Sequence, residues 1–187
     1  MPIERANREL LLKVARASIE RGLGAAKPEP VPSGEWPDAL NEWRATFTTL
    51  KIDGVLRGCR GAIEASRPLI EDVWQNAWAS AYDDPRFPPV TADELRRLET
   101  SISVLSPLEP IEAHSEAELL AQLEPGVDGL VLRCGERRVT FLPSVWQMLP
   151  EPTAFLTQLK VKGGWSAGYW STDFAAYRYR AEIFPEY

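Results

Sequence analysis

Asp53-Gly54 sits between two β-prone runs, ATFTTLKI before it and VLRGCRG after it, and this arrangement constrains the fold more than any other feature. An Asp-Gly pair supplies the positive φ angles of a two-residue turn, so the spacing predicts a tight antiparallel hairpin. With Ile52 opposite Val55, Leu50 is expected opposite Arg57 and Thr48 opposite Cys59. Alternation then predicts one side carrying Thr46, Thr48, Leu50, Ile52, Val55, Arg57 and Cys59. The other carries Phe47, Thr49, Lys51, Leu56 and Arg60. The first side is the more apolar and is expected to face inward.

Arg57 is the anomaly on that side. A guanidinium facing inward needs a carboxylate or a wet pocket, because an unpaired buried charge is too costly. Glu64, Asp84 and Glu109 are its candidate partners. Gly58 and Gly61 flank Cys59, and glycine inside a strand marks a bulge or a close approach of backbone or ligand. Arg57, two residues away, would favour the Cys59 thiolate. Two readings stand together: a reactive thiol at the mouth of a small cleft, and a small buried hydrophobe beside a structural ion pair.

The other elements alternate in type. Leu10, Leu11, Val14, Ala15, Ala17 and Ile19 recur at helical spacing, with Gly22 and Gly24 as the stop. Residues 27–38 hold four prolines and form an extended connector. The spacing of Leu69, Ile70, Val73, Trp74, Ala77, Trp78, Ala81 and Tyr82 predicts a helix over 67–82, closed by the prolines of DDPRFPP. Thr91 with Glu94 reads as a capping box opening ADELRRL, and Ser115 with Glu118 as another cap. SISVLSPL is strand-like, GLVLR pairs with RVTFL across CGER, and residues 144–161 are helical around Pro150 and Pro152. AAYRYRAEIF alternates as one half-buried strand. The sum is an α+β fold with a mostly antiparallel sheet and helices packed on it.

Composition removes several function classes. One histidine, His114, and two cysteines, Cys59 and Cys134, exclude multi-histidine and cysteine-rich metal sites, so neither metal nor cofactor is expected. The chain has 187 residues, which at roughly 150 per domain predicts a single domain over 1–187. A net charge of -6 works against nucleic-acid binding, and no apolar run is long enough for a membrane span. The charged start MPIERANRELLLKVAR is no signal peptide, and a cytoplasmic location is expected.

VLRGCRG (55–61), DDPRFPPVTADEL (83–95), SISVLSPLEPI (101–111), GLVLR (129–133) and TFLPSVW (140–146) resemble, in order and spacing, the AMMECR-domain family, whose bacterial members are called AmmeMemoRadiSam system protein A. The resemblance implies two unequal lobes forming one compact unit, with the LRGC segment beside a cleft. It also implies association with a Memo-like protein and a radical-SAM protein. Arg57, Cys59, Asp84, Arg86 and Phe87 match the family pattern. Arg60 stands where the motif has isoleucine. Residues 126–129 (GVDG) lack the family's histidine, and residues 159–164 (LKVKGG) lack its second cysteine.

Asp84-Pro85-Arg86-Phe87 reads either as a rigid loop presenting Arg86 to an anionic ligand or as a clasp in which Arg86 pairs with an acid and Phe87 enters the core. His114, in an acidic stretch, is expected to be exposed. Trp165, Tyr169 and Trp170 lie in a glycine-rich loop and suit a lid or a partner-docking patch. The candidate site is therefore Cys59 as nucleophile, with Arg57, Gly58, Gly61, Glu64, Asp84, Arg86, Phe87, Trp165 and Trp170 as binding residues. The favoured role is an accessory component binding a partner, small molecule or peptide, because no general base lies within the motif. A cysteine-dependent enzyme is the alternative.

Overall fold

A computed structural model describes residues 2–185. Among the described residues, five α-helices and eight strands form two compact units. The first runs to Leu105 and takes back the chain from Glu182; the second is Ser106–Ala181. The fold is mixed α and β with antiparallel pairing, as the pattern of elements predicts, but the strands divide between two four-stranded sheets rather than one.

In the first unit, β1 (Thr46–Ile52), β2 (Val55–Gly61), β3 (Leu98–Leu105) and β8 (Ala181–Pro185) lie in the order β2-β1-β3-β8. Helix α1 (Arg5–Arg21) and helix α3 (Leu69–Tyr82) cover the sheet; the short α2 (Asp38–Asn41) adds Leu40. The apolar stripes read from the sequence meet here. Leu11, Ala15 and Ile19 of α1 pack with Ile70, Val73, Trp74 and Ala77 of α3 against Leu50, Ile102 and Val104.

In the second unit, β4 (Glu109–Ile111), β5 (Gly129–Cys134), β6 (Arg137–Phe141) and β7 (Ala175–Tyr179) take the order β4-β7-β5-β6. Helices α4 (Glu116–Ala121) and α5 (Pro152–Lys162) pack on it, and the Trp146 and Phe155 rings stack at 3.8 Å. Ser115 caps α4 by accepting the Glu118 N–H at 3.2 Å, as its spacing implies.

Three local expectations change. Pro152 opens α5 rather than interrupting a longer helix, because proline is tolerated where the N–H has no intrahelical partner. ADELRRL yields a single 3-10 turn, Leu95–Arg97, before β3 begins. The terminal alternation is broken at Arg180 into β7 and β8, which join different sheets. Phe184 is thereby buried and Ile183 exposed.

Candidate functional site at the edge strand

The hairpin turn is as expected, with Asp53 and Gly54 at φ 53° and 75° and Ile52 opposite Val55. The ladder then shifts. Lys51 faces Leu56, but Leu50 faces Gly58, Thr49 faces Cys59 and Thr48 faces Arg60. Arg57 is the extra residue of a β-bulge. This overturns the expected register: one inserted residue moves every later side chain to the other face of the sheet. Cys59 therefore shares a face with Thr49, their Sγ and Oγ1 atoms 3.4 Å apart, rather than with Leu50 and the core. It is half-buried.

Beside the bulge, at Gly58, α3 comes too close for a side chain. A Cβ on Gly58 would sit 2.0 Å from the Ser80 carbonyl oxygen. The close approach at Gly58 is thus by backbone. Gly61 is covered by Phe47, whose Cγ would be 2.5 Å from an added Cβ.

A polar row with a four-residue period on α3 and the turn after it, Asp72, Asn76, Ser80 and Asp84, fastens the helix to the hairpin. Asp72 Oδ2 accepts the Thr46 N–H at 2.9 Å and the Thr46 hydroxyl at 2.6 Å. Asn76 donates to Asp72 Oδ2 at 2.8 Å and to the Thr46 carbonyl at 3.2 Å. Ser80 donates to the Thr48 carbonyl at 2.8 Å and accepts the Arg60 N–H at 2.9 Å. Asp84, beyond the helix end, accepts the Cys59 N–H at 2.9 Å. The sequence carries this row openly at i, i+4, i+8 and i+12, and an apolar-only reading of the helix passes over it. Burial pushes the Asp72 carboxyl up, against the pull of Thr46, Arg67 and Asn76.

Arg86 completes the arrangement. Its Nε and Nη2 hold Asp84 at 2.9 and 2.6 Å, and Nη2 also donates to the Cys59 carbonyl at 3.2 Å. Those hydrogen bonds, with help from the Cys59 N–H, hold the Asp84 carboxyl far below the usual range despite its burial. The clasp forms as one of the two expectations has it, with one correction. Phe87 does not enter the core; it is half-buried with the Arg86 guanidinium 5.4 Å above its ring.

Arg57 is gripped by a carboxylate that was not among its three candidates. Its Nε and Nη2 grip Glu94 at 2.7 and 3.0 Å, and Nη2 reaches the Pro89 carbonyl at 3.3 Å. Arg57 brings Glu94 to about 2, helped by the Thr91 amide and hydroxyl. Glu94 thus uses its backward reach to Thr91 and its forward reach to Arg57 at once, and the capping-box spacing was the signal that could have found it. Glu64 is exposed, and Glu109 pairs with Arg178 at 3.0 Å.

Trp165 and Trp170 belong to the second unit. Both are half-buried on its core around Phe174, with ring distances of 5.0 and 5.5 Å; Tyr169 is exposed. The Trp170 indole donates to the His114 carbonyl at 3.1 Å. His114 itself is exposed, as expected. The cations Lys160, Arg178 and Arg180 are paired with Glu116, Glu109 and Glu124. Among the described residues no group of three or more His, Cys, Asp or Glu could hold a metal, and no helix is long and apolar enough to cross a membrane.

The chemistry available at Cys59 follows from these contacts. Cys59 is half-buried, and the carboxylates of Asp84 and Glu94 are each locked in an arginine pair and acidic, so neither suits proton abstraction near neutral pH. Hydrogen-bond donors and a ring remain for holding a ligand.

The family model described as AMMECR1 matches residues 12–184. A protein of Methanothermobacter thermautotrophicus is 36% identical over 99% of this chain and 97% of its own. Protein MJ0810 of Methanocaldococcus jannaschii is 35% identical over 94% and 88%. The crystal structure of the uncharacterized protein PH0010 from Pyrococcus horikoshii superposes with a TM-score of 0.90 at 34% identity, covering 98% of this chain and 93% of that one.

Proposed function

The chain belongs to the AMMECR1 family, and from that premise we propose that it is an accessory binding protein whose recognition element is the Cys59 edge of β2, clasped by Asp84 and Arg86. The observation that carries this reading is the commitment of the acids. Asp84 is spent on Arg86 and the Cys59 amide, and Glu94 on Arg57, so neither of these two acids is free to serve the half-buried thiol as a base. Acyl transfer by a cysteine also wants an acid-base group. The ligand is a small molecule or peptide segment that contacts Arg86, Thr49 and the Phe87 ring. The family resemblance supports a Memo-like protein and a radical-SAM protein as the partners it serves, in the bacterial AmmeMemoRadiSam arrangement, within the cytoplasm.

One observation favours a cysteine-dependent enzyme as second reading: the Arg86 guanidinium donates to the Cys59 carbonyl at 3.2 Å, so a fixed cation sits at the residue that carries the thiol. Co-expression with the Memo-like protein of the same genome, followed by affinity capture, separates the two. The binding reading expects Cys59→Ser to retain capture and Arg86→Gln to lose it, with both variants still folded by a cooperative melting transition. Loss of function on Cys59→Ser alone sinks the binding reading. Thiol alkylation across a pH series, faster than a free model thiol near pH 7, then supports the nucleophile.

A further inference from the structure

Helix α1 presents a charged stripe to solvent. At 3.6 residues per turn, Arg5, Glu9, Leu12, Lys13, Arg16 and Glu20 fall within about 100° of arc, away from the face that Leu11, Ala15 and Ile19 bury. Two adjoining hollows of about 390 and 510 Å³ run along it and share Arg5, Glu9 and Leu12. Phe184 lines the first hollow and Ala17 the second. The side chains of Arg5, Glu9 and Glu20 are exposed, and their charges are open to a partner.

The order of the charges does not serve the helix itself. Arg5 pairs with Glu9 at 2.9 Å and Arg16 with Glu20 at 3.0 Å, each with the arginine first, which is the weaker direction for an i,i+4 pair. The first turn holds Arg5 and Arg8 without an acid, and Glu20 lies in the last turn, so the helix dipole opposes all three. Arg21, the basic residue of the last turn, lies over the Trp74 ring, off the stripe.

We infer that this stripe is a docking surface for a second copy of the chain, α1 lying antiparallel to α1 about a two-fold axis. Positions 5 and 20, 9 and 16, and 12 and 13 are symmetric about the point between Leu12 and Lys13. An axis there sets Arg5 against Glu20 of the second copy and Glu9 against its Arg16, and the same contacts recur beyond the axis. Each arginine–glutamate pair then meets the reversed pair, with opposite charges alternating around a square. At the centre the Lys13 stem covers Leu12 of the second copy while its ammonium stays in water. Each N-terminus also comes beside the other copy's C-terminus, where Arg5 and Glu20 are favoured. The register is specific: sliding the helices by one turn opposes Arg5 to Arg16 in one direction and Glu9 to Glu20 in the other. A partner surface of a single charge sign would meet like charges along part of the stripe. One helix pair is a small interface, so the association is reversible and concentration-dependent.

Sedimentation velocity of the full chain over a dilution series at low salt tests this. A monomer–dimer equilibrium that moves towards monomer with added salt is expected. Arg5→Glu and Glu20→Arg each turn two attractive contacts into repulsive ones and should weaken the dimer about tenfold or more. Both positions are exposed, and a cooperative melting transition verifies each variant as folded. Arg16, which also donates to the Leu98 carbonyl at 3.4 Å, is left intact. An equimolar mixture of the two variants restores every contact in a mixed dimer, with an affinity close to that of the wild type. A chain that is monomeric at every concentration overturns the proposal and leaves the stripe to a different protein. So does a dimer that neither variant weakens, or one that the mixture fails to restore. Neither variant alters Cys59, Asp84 or Arg86, so failure here leaves the binding reading of that edge standing.

Discussion

Asp84 accepts the amide proton of Cys59 at 2.9 Å, while Arg86, fixed on that same carboxylate, donates to the carbonyl of Cys59 at 3.2 Å. One ion pair thereby does for an edge-strand residue what a neighbouring strand would do, satisfying both of its main-chain groups. An unpaired strand edge invites association with other chains, and here side chains fill the position.

Removing the carboxylate should be costly. Asp84→Ala leaves the Cys59 amide and a guanidinium without their acceptor, and hydrogen bonds to charged groups contribute about 1.5–3 kcal/mol each. A loss of about 3 kcal/mol in urea unfolding is expected, against well under half of that for Arg86→Gln, whose side chain is 54% exposed.

Stability should fall in acid with a defined sign. Asp84 and Glu94 are both depressed in the folded protein, so each contributes stability that is complete above its ordinary value. That contribution is lost as pH falls through the folded value, from about 4.5 towards 2 for Glu94 and lower still for Asp84. Asp72, raised by burial, acts in the opposite direction: its ionisation is disfavoured in the fold, so lowering the pH relieves it. Melting temperatures between pH 5 and 2 should show a steep fall in the wild type and a shallower one in Glu94→Gln.

Gly58→Ala should damage the fold far more than its chemistry suggests. The added methyl would lie 2.0 Å from a main-chain oxygen of α3, which cannot rotate away. Overpacking of this kind costs about 1–3 kcal/mol or more. Gly54→Ala, with no atom within 4 Å of its added Cβ, should cost only the strain of its positive φ, about 1 kcal/mol. Equal losses from the two would contradict the close approach.

The hairpin and the long helix were legible because turn chemistry and apolar spacing are local. The bulge was not: the run VLRGCRG holds the extra residue without any local sign except Gly58, whose meaning depends on Ser80, 22 positions later. That one residue decides whether Cys59 faces the core or Thr49. The Arg57 partner was missed for the same reason, since Glu94 reaches it only after the chain returns through α3. The row Asp72, Asn76, Ser80 was readable at a four-residue period, yet helix reading by apolar stripe treats polar positions as solvent-facing. Here they are the buried face.

The aromatic loop is structural in its own unit. Trp165 and Trp170 lean on Phe174 and the core around Phe155, and Gly163 makes room for the Trp165 ring. Trp165→Ala should therefore destabilise by about 2–3 kcal/mol, with no change in Cys59 alkylation rate. A double tryptophan variant that lost partner capture at lowered stability would report unfolding rather than a missing contact.

Amide hydrogen exchange at Cys59 probes the clasp most directly. In the wild type that N–H should be protected although it lies on an edge strand, and in Asp84→Ala it should exchange about tenfold faster or more while Leu50 and Ile102 stay protected. A Cys59 amide that exchanges in the wild type as fast as an open loop amide would show that Asp84 does not hold it.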